Sequence, residues 1–242
     1  MPFASQPVRR VAAAEGIRVS GRWPHTVPAV HQLLTDGLDL SPGVTFLVGE
    51  NGAGKSTLVE AIAVAYGMSP EGGSTGARLT TRATESSLAD DLQLTRGVGG
   101  KRAGFFLRAE TMHGFYTYLE QNPGARNEPV FHEMSHGESF LTLISDRFTR
   151  QGFYCLDEPE SALSFSSSLA VVGVLDRLAK SGSQVLCATH SPVIAALPDA
   201  TILEVGDWGI RATTWEDLKL VQNWRAYLEE PERYLRHVIQ ST

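Results

Sequence analysis

The sequence predicts an α/β fold: a mainly parallel central sheet flanked by helices, plus an antiparallel β portion and a small helical lobe. Short apolar runs alternate with segments of helical periodicity along most of the 242 residues. One such run, Val44-Thr45-Phe46-Leu47-Val48, opens directly into Gly49-Glu50-Asn51-Gly52-Ala53-Gly54-Lys55-Ser56-Thr57 and then into an amphipathic stretch that ends at Tyr66. A second, Phe153-Tyr154-Cys155-Leu156, ends on Asp157-Glu158-Pro159. Buried parallel strands read as near-continuous apolar runs, and their C-terminal ends carry the chemistry in open α/β sheets.

In chain order, residues 17–23 are expected to form a first strand, with Pro24 and Pro28 breaking the chain after it. Val44–Val48 is the strand before the glycine-rich turn, and the helix that follows ends at Tyr66 with Gly67 as its C-cap. Residues 69–83 are rich in Gly, Ser and Thr, carry Arg78 and Arg82, and read as an exposed loop. Ala103–Leu107 is a strand and Glu110–Leu119 a helix. Phe140, Leu141, Ile144 and Phe148 give Glu138–Phe148 a helical period. A long helix over Ala162–Ala179 turns Leu163, Val171, Val174, Leu175 and Leu178 to the core, between strands at Gly152–Leu156 and Gln184–Ala188. Residues 201–205 and 209–213 form a terminal β-pair around Gly206-Asp207-Trp208-Gly209, and two helices separated by Pro231 close the chain. The division expected is one domain over 1–242, with a helical lobe inserted at roughly 68–150 and C-terminal helices at 214–240.

Gly49 to Thr57 fits G-x-x-x-x-G-K-[ST] without a mismatch, between a strand and a helix start as the pattern requires. Glycines let successive backbone N–H groups curl around phosphate oxygens, and the helix N-terminus turns its partial positive charge toward the same anion. Lys55 brings a full charge for the β- and γ-phosphates, and the Ser56 hydroxyl suits Mg²⁺. Asp157, at a strand end beside this loop, would hold Mg²⁺ directly or through water. Glu158 would act as general base on the water that attacks the γ-phosphorus. His190, in Ala188-Thr189-His190-Ser191-Pro192, closes the next strand, where a neutral imidazole could hydrogen-bond a γ-phosphate oxygen or that water. Met134-Ser135-His136-Gly137-Glu138 precedes a helix, with Ser135, 22 residues before Asp157, as its N-cap. By itself that segment reads as an ordinary capped helix start.

A net charge of −6 argues against a dedicated nucleic-acid binder, which carries a basic surplus. Cys155 and Cys187 sit in apolar runs and read as buried small hydrophobes, neither a disulfide framework nor a zinc site. Met1–Glu15 has arginines but no apolar stretch of a secretory signal, and no run reaches the ~18 apolar residues of a membrane helix, so a cytoplasmic location without membrane insertion is expected.

In order and spacing the four motifs resemble the ABC-type ATPase heads, a group of P-loop NTPases. The resemblance is to their soluble branch, related to the structural-maintenance-of-chromosomes (SMC), double-strand-break-repair and RecF-like proteins, and there to small stand-alone bacterial ATPases with a Ser-His-Gly-Glu signature. It covers about residues 17 to 213. It implies that Gly49–Thr57 is the Walker A loop, that Phe153–Glu158 is Walker B with its catalytic glutamate, and that His190 is the switch histidine. Ser135, His136, Gly137 and Glu138 would be the signature, and Glu160-Ser161-Ala162-Leu163 the D-loop.

The resemblance also implies ATP and Mg²⁺ as cofactors, with Ser135 and Gly137 contacting nucleotide bound to a second subunit in an ATP-dependent homodimer. There are departures. His136 replaces the first signature glycine, and its charge could make binding pH-sensitive. No Q-loop glutamine stands out: Gln93 lies in polar sequence and Glu110 is better placed. Trp23 is a candidate for stacking on adenine, with a core tryptophan the alternative. Rival readings are a nucleotide-gated binding module that times release of a protein or DNA partner, a P-loop kinase, and a transporter ATPase subunit.

Overall fold

The structure is a computed structural model that describes residues 6–75, 87–97, 103–121, 134–236 and 238–239. The chain runs through β1 (Arg10–Ala13), α1 (Pro28–Asp36), β2 (Leu38–Asp39), β3 (Val44–Gly49), α2 (Lys55–Tyr66), β4 (Gly73–Ser74) and β5 (Leu92–Thr95). It continues through β6 (Gly104–Arg108), α3 (Met112–Gln121), α4 (His136–Arg147), β7 (Phe153–Asp157), α5 (Phe165–Lys180) and β8 (Gln184–Thr189). The hairpin β9 (Thr201–Gly206) and β10 (Gly209–Thr213) follows, then α6 (Lys219–Glu229) and α7 (Pro231–Leu235).

Among the described residues, seven strands form the main sheet in the order β10-β9-β3-β8-β7-β6-β4. Its β9, β3, β8, β7 and β6 are parallel, and β10 and β4 close the two edges antiparallel. Every residue of β7 and β8 is buried, which is why those segments are apolar without alternation. Their side chains nevertheless alternate between two cores. Phe46, Leu156 and Cys187 join Leu143, Ile144, Val171 and Leu175 of α4 and α5 on one face. Leu47, Phe153, Cys155 and Leu186 join Leu33, Leu58 and Ile62 of α1 and α2 on the other. The two cysteines are therefore free thiols on opposite faces, and burial pushes both well above the usual thiol range.

Helix boundaries follow local chemistry. Gly67 ends α2 in the left-handed region, φ 106°, and its N–H bonds the Ala63 and Val64 carbonyls. Ser135 starts α4 with a complete capping box. The helix expected from Ala162 begins at Phe165 instead, because Pro159–Ala162 forms a 3₁₀ turn and Ser164 supplies the cap.

Three sequence readings are corrected. Residues 17–23 form no strand. The first strand lies upstream, and the segment after it is held by side chains: Ser20 N–H donates to His25 Nδ1 at 3.0 Å, and His25 Nε2 meets Asp91 Oδ2 at 2.9 Å. The part of the 69–83 loop that is described is not an exposed loop, since Ser69, Gly72 and Gly73 are buried and β4 pairs with β6; Arg78 and Arg82 lie outside the described residues. Helix α1 is an addition, its Pro28 serving as a first-turn residue rather than a breaker. Among the described residues no helix is long and apolar enough to cross a membrane.

The smaller antiparallel sheet, β2-β1-β5, is joined to the main one through Gln184. Its buried amide takes the Val8 N–H at 2.9 Å and gives to the Val8 and Ser41 carbonyls at 2.8 and 3.0 Å. Removing it strands buried backbone groups. Gln184→Ala should lower unfolding free energy by about 2–4 kcal/mol in urea titrations, whereas Gln151→Ala, at the exposed Gly182 turn, should change it by less than about 0.5 kcal/mol.

Candidate functional site

Parallel registry brings the chemistry to one sheet edge. Val48 pairs with Thr189 and Asp157 with Ala188, so Gly49, Asp157 and His190 emerge side by side. Between β3 and α2 the loop turns at Gly54, φ 97°, where a Cβ would also run into Val27 Cγ1 at 2.6 Å. At Gly49 a Cβ would overlap the Val205 carbonyl oxygen of the neighbouring strand. No side chain caps α2, which leaves its first turn of N–H groups to an anion.

Lys55 is 3% exposed and donates from Nζ to the Glu50 carbonyl at 3.0 Å. Burial pulls its pKa down, while Glu158, Asp157 and Glu160 pull it back up. Its ammonium thus lies folded across its own loop in a field of three carboxylates. Asp157 is as deeply set. Burial raises its pKa to about 6, opposed by the Ser56 hydroxyl and the Arg108 guanidinium and reinforced by Glu158 and Glu60. Among the described residues its buried Oδ1 has no hydrogen-bond partner.

An orphaned carboxylate oxygen beside a hydroxyl is a donor set for a hard divalent cation, so Ser56 and Asp157 fit Mg²⁺. Among the described residues no three His, Cys, Asp or Glu side chains converge to hold a metal without help, so such a cation would also need phosphate oxygens.

Glu158 follows in the left-handed region, φ 49° and ψ 53°, a conformation that costs a non-glycine residue of order 1 kcal/mol or more. Its Oε1 lies 3.1 Å from His190 Nε2. The Glu158 N–H bonds the Ala188 carbonyl at 3.0 Å, and the His190 N–H donates to the Glu160 carboxylate. The ends of β7 and β8 are thereby tied together on both sides of the catalytic candidates.

Ser135 and Glu138 stand elsewhere, both exposed. Ser135 N–H and Oγ–H donate to Glu138 Oε2 at 3.1 and 2.7 Å, which holds that carboxyl below its usual pKa. His136 and Gly137 open α4; the side chain of His136 lies outside the described set. None of these four lines the cavity of about 300 Å³ bordered by Gly49–Ala53, His190, Glu204, Trp208 and Asn223. Nor does Trp23, which is 64% exposed and so is not a core residue; the tryptophan at this cavity is Trp208. Gln93 sits in β5 of the smaller sheet, not beside β7, and Glu110 pairs with Arg108. Arg108 and Glu60 are contributors that motif reading passed over, and Glu160, read only as the start of the D-loop, is another; the signal for Glu60 was its place four residues after Ser56 on one helix face.

Two family models match: "AAA domain" over residues 31–122, and "AAA domain, putative AbiEii toxin, Type IV TA system" over 88–196. A Streptomyces coelicolor protein named as a putative ABC transporter ATP-binding protein is 30% identical over 66% of this chain, and the match spans 31% of that protein's length. The Clostridium perfringens cbiO1 structure, part of an ABC transporter complex, superposes with a TM-score of 0.53, 13% identity and coverage of 97% of this chain and 100% of that one. That likeness speaks for the fold alone. An SMC head domain from Thermotoga maritima aligns at a TM-score of 0.45 and 13% identity, over 86% of this chain and 98% of that one, too loosely to argue from. The two AAA-domain models overlap at 88–122 and together span residues 31–196, a stretch that holds the Gly49–Thr57 loop, Asp157, Glu158 and His190, so the chain is similar to AAA-type P-loop ATPase domains there.

The Asp157 environment has a stability consequence. A carboxyl with a folded pKa near 6 and an ordinary value of 3.8 favours folding when protonated. Above about pH 6 its ionised form costs the folded chain up to ~3 kcal/mol, and the cost fades as pH falls toward 3.8. Asp157→Asn should therefore raise the unfolding free energy of the nucleotide-free protein, measured by urea titration at pH 7.5, by about 1–3 kcal/mol, with a gain that shrinks toward pH 4.

Proposed function

We propose that this protein hydrolyses ATP with Mg²⁺ between two copies of itself, each closing its signature turn on the nucleotide of the other. The observation that carries this reading is the separation of two half-sites within one chain. Lys55, Ser56, Asp157, Glu158 and His190 gather at the ends of β3, β7 and β8, whereas Ser135 and Glu138 are exposed and do not line the cavity beside the phosphate loop. The Ser135 hydroxyl and the α4 N-terminus face solvent, and an anion brought by another subunit would take over the donors that Glu138 now holds.

Phosphoryl transfer to water needs an in-line γ-phosphate, neutralised charge and a positioned water. Gly49 to Thr57 cradle the phosphates, and Lys55 leaves the Glu50 carbonyl to meet them. Ser56 and Asp157 would hold Mg²⁺, which offsets charge on the β- and γ-oxygens. Glu158 takes the proton of the attacking water, and His190, already hydrogen-bonded to it, orients that carboxylate or contacts the γ-phosphate. Loss of the γ-phosphate removes the contacts that hold the two copies together.

Glu158→Gln should retain ATP binding, lose ~10²–10⁴-fold in turnover, and elute as a dimer in ATP by size-exclusion chromatography. Adding Ser135→Ala to it should restore the monomer. A Glu158→Gln protein that binds ATP and stays monomeric contradicts the trans-acting signature.

A second reading, a slow nucleotide-timed module for a protein or DNA partner, is favoured by the apolar side chains exposed on the C-terminal helices, with Trp224 48% and Leu228 70% exposed. Turnover measured with and without added DNA or protein fractions separates the two.

A further inference from the structure

Arg108 ends β6, and the β6–β7 register sets it directly across from Asp157. Its guanidinium is held on three sides by carboxylates. Nη1 is 2.7 Å from Glu60 Oε2 of α2, Nη2 is 3.3 Å from Glu110 Oε2, and Nε is 3.5 Å from Asp157 Oδ2. The side chain is 23% exposed, Glu60 13% and Asp157 6%, so the Glu60 and Asp157 contacts are shielded from water while Glu110 is a surface group. A planar fork gripped at its Nη atoms has little freedom to turn. The Nε edge is therefore kept toward Asp157, close enough for attraction but without forming a hydrogen bond.

The result shows at the carboxylate. Oδ2 of Asp157 turns to Arg108 and Ser56 contacts the group, while Oδ1 is buried and finds no hydrogen-bond partner among the described residues. We propose that Arg108 is the positioning residue that orients the Asp157 carboxylate for the divalent cation carried in with the nucleotide, with Glu60 as the anchor that keeps Arg108 in place. This rests on the ATPase reading. The rival physical role is a resident counter-charge that competes with the cation. The tight contact of Arg108 is to Glu60, not to Asp157. Glu60, Glu110, Asp157 and Glu158 also outnumber Arg108 and Lys55, which leaves the region attractive to a cation.

The test is calorimetric titration of the full chain with a non-hydrolysable ATP analogue, once in EDTA and once in Mg²⁺. Arg108→Ala should bind in EDTA within twofold of wild type, because the phosphate loop is untouched. It should lose at least tenfold of the tightening that Mg²⁺ gives wild type. Glu60→Gln and Arg108→Lys should lose part of that tightening, in the same direction. Thermal melting reports whether each variant folds; should Arg108→Ala fail to, the other two decide on the same readout. Folded variants with full Mg²⁺-dependent tightening, or with more than wild type, overturn the positioning role, the second result pointing to a competing counter-charge. A wild-type chain that takes up no analogue in either buffer overturns the ATPase reading and this proposal with it.

Discussion

The parallel pairing of β3, β8 and β7 is the constraint on which the rest depends. Parallel strands all present their C-terminal ends to one edge, so registry alone converts three distant stretches of sequence into neighbours. The same pairing buries both faces of the strands, which favours apolar residues along them, Thr45 and the hydrogen-bonded Gln184 excepted, and leaves the charged groups to the strand ends and the turns after them. The edge then concentrates groups that a core would reject: an ammonium, three carboxylates and a histidine, drawn from the strand ends and the turns that follow them.

That concentration is destabilising in the resting protein. Asp157 is ionised in a poorly hydrated place at neutral pH, Glu158 sits in a backbone region disfavoured for its residue type, and Lys55 is buried against its preference. Natural proteins tolerate such strain at sites of chemistry when the surroundings over-determine them. Here the surroundings are the two cores on either face of the sheet, the cross-ties from Glu160 to His190 and from Glu158 to Ala188, and the guanidinium held between Glu60 and Asp157. A triphosphate with its cation would answer several of these imbalances together: negative charge for Lys55, a positive partner for Asp157, and an anion for the bare start of α2.

Much of this was legible in the sequence because the governing rules are local or periodic. The glycine-rich turn, the unbroken apolar strands and the Ser135 N-cap each have a signature a few residues long. The first strand was misplaced because alternation in Ile17–Trp23 mimics a strand, while the hydrogen bonds that shape that segment run through His25 and Asp91, 66 residues apart. Helix α1 was hidden behind Pro28, whose helix-starting role depends on the residues around it. Gln184 and Arg108 were invisible for one reason: each acts across strands, and no motif records which residues registry will bring face to face. Glu110 was noticed for its position, yet the residue beside Asp157 is Arg108, two places earlier.

The most direct measurement is equilibrium titration of Mg²⁺ and ATP into the wild-type chain and into Lys55→Ala under identical salt. A phosphate tail seated on the Gly49–Thr57 loop predicts saturable binding by wild type and affinity weaker by roughly 10–100-fold without the ammonium, the worth of a lost charged hydrogen bond. Equal affinity for both proteins, or no saturable uptake by either, would contradict the account.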